Sequence, residues 1–143
     1  MSNRVSHSLV NALRHVPAFA ELEEATLLEL VGCSANLNWD GGRSVFERGS
    51  PAEALYVVLS GRVRIVDPEN DHVVATIEAG DYFGELSLML DTTHSKTAIA
   101  GGQTELMVVP RESFQELLEG RPELERQFRR VMDERMGLAS TSV

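Results

Sequence analysis

Cysteine occurs once in these 143 residues, at Cys33, so no disulfide forms within the chain and the fold has to rest on its apolar core. That usage fits a reducing compartment. No apolar run reaches the roughly 18 residues that a membrane span requires. The start, Met1 to His7, is polar, and Asn11, Arg14 and His15 break the apolar stretch behind it, so it does not read as a secretory signal. A cytoplasmic protein with no membrane partner is expected. Cations are scarce too: Lys and Arg total 13 against 22 Asp and Glu, a formal net charge of −9. Such a surface repels nucleic-acid phosphates and speaks against a nucleic-acid partner, while leaving room for a local basic pocket that takes one small anion.

Catalytic groupings are missing as well. His7, His15, His72 and His94 are scattered, with none of the His-x-His or His-x-x-x-His spacings that hold a catalytic metal. Ser60 and Ser87 lack the context of a nucleophile elbow. Cys33 reads as a small buried apolar residue at a helix end. No enzyme, metal site or resident cofactor is expected.

What is present is an ordinary globular composition, 43% hydrophobic and 24% charged, in a length that suits one domain. Leu9, Val10, Leu13 and Val16 recur at helical spacing from Ser8 to about His15, and Pro17 interrupts them. A second helix is expected from near Glu21, with Glu23 and Glu24 in its first turn, a stripe of Leu22, Leu27, Leu28, Leu30 and Val31, and a stop at Gly32. From about residue 37 to 110 the chain turns to short β-type runs: Val45-Phe46, Leu55 to Leu59, Val63 to Val66, Val73 to Ile77 and Leu106 to Val109. The turn signals between them leave no room for crossover helices, which predicts a compact antiparallel sandwich or barrel. Helix returns after Pro110. Ser113 is expected to cap a short helix ended by Gly120, and Pro122 to open a longer one through about Leu138. Leu124, Phe128, Val131 and Leu138, widened by Met132 and Met136, form its apolar stripe; it packs on its own domain or doubles as a homodimer seam.

Two segments carry more. Val45-Phe46-Glu47-Arg48-Gly49-Ser50-Pro51, followed by Leu55 to Gly61, is a strand, a turn, a buried strand and a glycine turn, with Gly49 and Gly61 suited to positive φ. Phe83-Gly84-Glu85-Leu86-Ser87-Leu88 and, after five residues, His94-Ser95-Lys96 make up the second. A glycine before a short helical turn leaves backbone N–H groups converging on one spot, where phosphate is held. A carboxylate beside it can accept from a sugar hydroxyl, and a cation further along can meet the phosphate charge.

In this order, and with helices at both ends, the two segments resemble the cyclic-nucleotide-binding domain family of catabolite-activator-type regulators and protein kinase A regulatory subunits. The resemblance runs from about Leu13 to Leu138. It implies a mainly β fold, an antiparallel, jelly-roll-like β-roll with N-terminal helices at about 8–32 and two C-terminal helices at about 111–138. It also implies a sensory or regulatory module whose ligand is cAMP or cGMP. Residue by residue, Gly84 and Glu85 match the ribose-binding pair, and Leu86 and Ser87 would offer N–H groups near the phosphate. The family's phosphate-binding arginine is replaced here by His94, followed by Ser95 and Lys96. Neither histidine nor lysine copies a guanidinium's planar multi-donor contact.

Two readings follow. In one the pocket binds cyclic nucleotide, with Lys96 on the same strand face as His94 and either supplying the charge. Arg135, Leu138 or Ser140 of the last helix would then reach the base, and the helix would signal to an unidentified effector protein. In the other the site is degenerate, His94 is an exposed loop residue, Glu85 an exposed helix-start glutamate, and the fold serves as a dimerisation or docking scaffold.

Overall fold

The computed structural model describes the backbone over residues 2–141 and side chains over residues 8–135. Helix α1 spans Ser2–Arg14 and α2 spans Glu24–Cys33, with a 3-10 turn at Pro17–Phe19 between them. Eight strands follow: β1 (Ala35–Trp39), β2 (Ser44–Phe46), β3 (Ala54–Ser60), β4 (Arg62–Asp67), β5 (His72–Glu78), β6 (Tyr82–Phe83), β7 (Thr97–Ala100) and β8 (Thr104–Pro110). A five-residue helix, α3 (Glu85–Met89), lies between β6 and β7, and α4 (Arg111–Leu118) and α5 (Pro122–Thr141) close the chain.

The strands form two antiparallel sheets, in the orders β1-β8-β3-β6 and β2-β7-β4-β5. Mainly β with flanking helices, this is the expected antiparallel β-roll. Strand β3 shows how the layers arise from sequence. Its run Ala54-Leu55-Tyr56-Val57-Val58 is buried throughout, because alternate side chains leave the strand on opposite faces. Leu55 and Val57 join a core with Leu13, Phe19, Leu27, Phe114 and Phe128 from the helices. Ala54, Tyr56 and Val58 instead meet Val63, Ile77, Phe83 and Ala98 between the sheets.

Helix α5 packs on its own roll through Leu124, Phe128 and Met132. Phe128 stands at ring-centroid distances of 5.9 Å from Phe19, 5.1 Å from Phe114 and 4.8 Å from Tyr82. This aromatic cluster ties the long helix to β6, the strand that leads into α3. Of the expected stripe, the Met136 and Leu138 side chains lie outside the described residues.

Several local expectations are corrected. Helix α2 starts at Glu24, later than Glu21, and runs through Gly32 to Cys33, so Gly32 is no stop. Cys33 is exposed rather than buried, because α2 ends beside an open groove against α4. Ser113 does not cap α4: that helix already begins at Arg111, directly after Pro110, whose fixed φ suits the cap position.

Candidate functional site

Gly84 sets the direction of α3. Its φ is 89°, and a Cβ there would stand 3.0 Å from the Tyr56 ring and 3.2 Å from the Ala54 carbonyl, so a side chain would be both strained and crowded. The turn that follows buries Glu85, which is only 2% exposed. Helix α3 thereby directs a carboxylate inward between β6 and α5.

A buried carboxylate needs partners, and Arg135 of α5 supplies them. Its Nη1 donates to Glu85 Oε1 at 2.6 Å, while Nη2 donates to the Tyr82 carbonyl at 2.8 Å and to Asp81 Oδ1 at 3.2 Å. The guanidinium also lies over the Tyr82 ring, 5.1 Å from its centroid. Burial raises the Glu85 pKa above the usual carboxylate range, and the Arg135 charge opposes that rise without cancelling it. Glu85 is therefore the buried half of an ion pair, not an exposed helix-start residue.

His94 is likewise not an exposed loop residue. It is 3% exposed, and its ring stacks on Phe46 at 3.5 Å with an interplanar angle of 4°. Its Nε2 is buried without a hydrogen-bond partner among the described residues, and burial lowers the imidazole pKa below its ordinary value. The ring is consequently neutral near pH 7. The loop that carries it is laced to the β2–β3 turn. Gly49 N–H donates to His94 O at 2.8 Å, and His94 N–H donates to Ser50 O at 2.9 Å. Arg48 N–H donates to Thr97 Oγ1 at 3.1 Å, and Pro51 bridges Thr93.

These parts enclose a cavity of ≈ 180 Å³. Gly84, Glu85, Leu86, Ser87, His94, Ser95, Lys96 and Arg135, all singled out from sequence, line it together. Lys96 is half-buried on its wall and has no ion pair among the described residues. The Leu138 and Ser140 side chains lie outside the described residues. Sequence reasoning missed the apolar wall of Phe46, Ile65, Val74, Ala75, Ile77 and Phe83. Val74 and Ala75 come from β5, whose residues are mostly exposed and carry no sign in sequence that they face a cavity. A larger hollow of ≈ 420 Å³ between α2 and α4 touches none of the residues singled out for ligand binding.

The sequence model of the cyclic nucleotide-binding domain matches residues 37–121, more than half of the chain. The chain belongs to the cyclic nucleotide-binding domain family. It is 28% identical to a cAMP-dependent protein kinase regulatory subunit of Dictyostelium discoideum over 114 residues, 76% of this chain and 33% of that protein. It is 33% identical to lysophospholipase NTE1 of Chaetomium globosum over 106 residues, 70% of this chain but 7% of that enzyme. Among solved structures it superposes on the regulatory subunit of a cAMP-independent protein kinase A from Trypanosoma brucei with a TM-score of 0.85 at 19% identity. That match covers 98% of this chain and 50% of the other. The domain thus spans half or less of the length of each protein compared.

As a cyclic nucleotide-binding domain it departs from the family pattern in the cation. A stacked, neutral imidazole stands where the resemblance leads one to expect a guanidinium, and the free charge on the cavity wall belongs to Lys96, two residues on. No helix among the described residues is long and apolar enough to cross a membrane.

Proposed function

We propose that this domain binds a cyclic nucleotide, cAMP or cGMP, in the cavity between β5, β6, α3, the His94–Lys96 loop and α5, and reports occupancy through α5 to an effector protein. The observation that carries this reading is the convergence of Glu85, Lys96 and Arg135 on one cavity with an apolar wall. Glu85 accepts from a ribose hydroxyl, the amides of Leu86 and Ser87 face the phosphate, and Lys96 supplies the positive charge. Phe46, Ile65 and Val74 offer a surface for the base.

The coupling to α5 follows from size and contacts. At ≈ 180 Å³ the cavity is smaller than the roughly 300–1,000 Å³ usual for occupied small-molecule pockets. Arg135 spans its rim from Glu85 to Asp81. A ligand that takes the Glu85 carboxylate loosens that clasp, so occupancy shifts the position of α5.

A second reading has its own support. Glu85 is already paired, His94 is neutral, and one protein of the same fold is described as cAMP-independent. On that reading the domain is a docking or dimerisation scaffold with a closed pocket.

Calorimetry with cAMP and cGMP on the wild type and on His94→Arg separates the two. A guanidinium can stack on Phe46 as the imidazole does. It adds a charge-assisted bond, so the variant should bind at least about tenfold more tightly than a measurably binding wild type. Absence of binding by both proteins would leave the scaffold reading in possession.

A further inference from the structure

Beside the cavity lies a second hollow of ≈ 320 Å³, on the outer side of the His94 loop. Leu86, Ser87, His94 and Ser95 line both spaces, so the two adjoin across the imidazole. Arg48, Thr92 and Thr93 complete the polar part of the outer wall, whose lining residues include four with hydroxyls, one arginine and no acid. In a chain with 22 acidic residues against 13 basic ones, a hollow without an acid that contains an arginine is set apart in charge from the rest of the surface.

The arginine is both anchored and available. Its backbone is pinned to β7 by the 3.1 Å bond to Thr97 Oγ1, and the next residue, Gly49, is bonded to His94. Among the described residues its guanidinium meets only Glu69, at 3.1 Å, and the two side chains are 50% and 70% exposed. Such a pair is weak and readily surrendered to a better anion. His94, which lines both hollows, keeps a buried Nε2 with no hydrogen-bond partner among the described residues.

We propose that the outer hollow is a second anion subsite, with Arg48 as its cation, and that the domain's ligand is a nucleotide carrying a second phosphate beyond the one beside Lys96. This rests on the cavity reading above and deepens it. The site then divides its positive charge between two places, Lys96 within and Arg48 without, where a single buried arginine would serve one phosphate. The shared chemistry is a second phosphate, either as another phosphodiester or as a terminal group.

Calorimetry tests this with three probes: cyclic AMP with one phosphate, cyclic di-AMP with a second phosphodiester, and an adenosine bisphosphate with a terminal phosphate. Wild type should bind one of the latter two about tenfold or more tightly than cyclic AMP. Arg48→Ala should abolish that preference while leaving cyclic AMP affinity within about twofold, and Arg48→Lys should retain part of it. Because Arg48 is exposed, an unchanged thermal midpoint verifies that the variants are folded. Wild type that binds cyclic AMP with no preference for a second phosphate, or a preference that survives in Arg48→Ala, overturns the subsite and leaves the cavity reading intact. Failure of all three probes to bind overturns the cavity reading, and the subsite with it.

Discussion

The Arg135 guanidinium donates to Glu85 Oε1 at 2.6 Å, joining the last helix to the short helix 50 residues before it. The carboxylate is buried and the arginine side chain remains 26% exposed, so the pair lies at the cavity's edge with its charged partner on the solvent side. One residue therefore neutralises the buried acid, closes the rim and fixes α5.

Removing Arg135 should cost stability in a pH-dependent way. Arg135→Ala leaves Glu85 buried without its counter-charge, a loss of roughly 2–3 kcal/mol, just below the range for fully buried pairs because the arginine is partly exposed. The folded-state pKa of Glu85 is already raised by burial, and loss of the cation raises it further. A carboxyl with a raised folded pKa contributes most below its unfolded pKa of about 4.3 and loses that contribution as pH rises through the folded value. Urea denaturation should accordingly show a larger deficit for Arg135→Ala at pH 8 than at pH 5. An equal deficit at both would mean that Glu85 is not the group left unpaired.

His94 should make the wild type less stable in mild acid. Its folded pKa is lowered by burial, so the contribution of the neutral ring is complete above the unfolded value of about 6.5 and declines as pH falls from there toward the folded pKa. His94→Phe keeps a ring on Phe46 and removes both the titration and the unpartnered Nε2. Thermal midpoints of the variant should lack the wild-type decline below pH 6.5. If both proteins lose stability in parallel, the decline belongs to other groups.

The same lowering changes the expected pH profile of ligand affinity. A phosphate beside the ring favours imidazolium, so binding tightens with acid, but the gain begins only where a protonated ring becomes accessible. Between pH 7 and pH 8 affinity should be flat. Below the ordinary imidazole range it should rise, and His94→Phe should remove that rise. A steady increase beginning at pH 8 would point to a different titrating group.

Lys96→Met should weaken cyclic-nucleotide binding by about tenfold or more, the effect of one charge-assisted contact. It should also flatten the dependence of affinity on salt between low and physiological ionic strength. Titrations at two salt concentrations check both. An unchanged affinity would remove Lys96 from the phosphate.

Gly84→Ala should destabilise the domain by about 1–2 kcal/mol, from the left-handed backbone alone, and more if the Tyr56 ring, 3.0 Å from the new Cβ, cannot move. Chemical denaturation measures it. A neutral substitution would mean that the turn into α3 tolerates another backbone conformation.

How much of this was legible in sequence depended on how local each cause is. The β-roll and the polar side of the cavity were legible because Gly84, Glu85 and the run to Lys96 are close in the chain, and Gly49 marks its turn by residue type alone; the apolar wall was not. The burial of His94 was not, since it comes from Phe46 on strand β2, 48 positions earlier. Strand β1, Ala-Asn-Leu-Asn-Trp, was passed over because its residues are largely exposed and show no apolar periodicity strong enough to mark a strand. The exposed end of α2 at Cys33 depends on where α4 comes to lie, which no local pattern encodes. Arg48 carries no mark of its own in sequence, because its neighbourhood is set by the bonds of Gly49 and Ser50 to the distant His94.

The central claim, that the cavity under Arg135 receives a cyclic nucleotide, is tested most directly by following backbone amide NMR signals of the wild type during titration with cAMP and with cGMP. The account predicts saturable shifts at Gly84 to Ser87 and at His94 to Lys96, accompanied by shifts along α5 around Arg135 as its clasp on Glu85 loosens. Spectra unchanged at millimolar concentrations of both nucleotides, or shifts confined to residues away from this cavity, would contradict it.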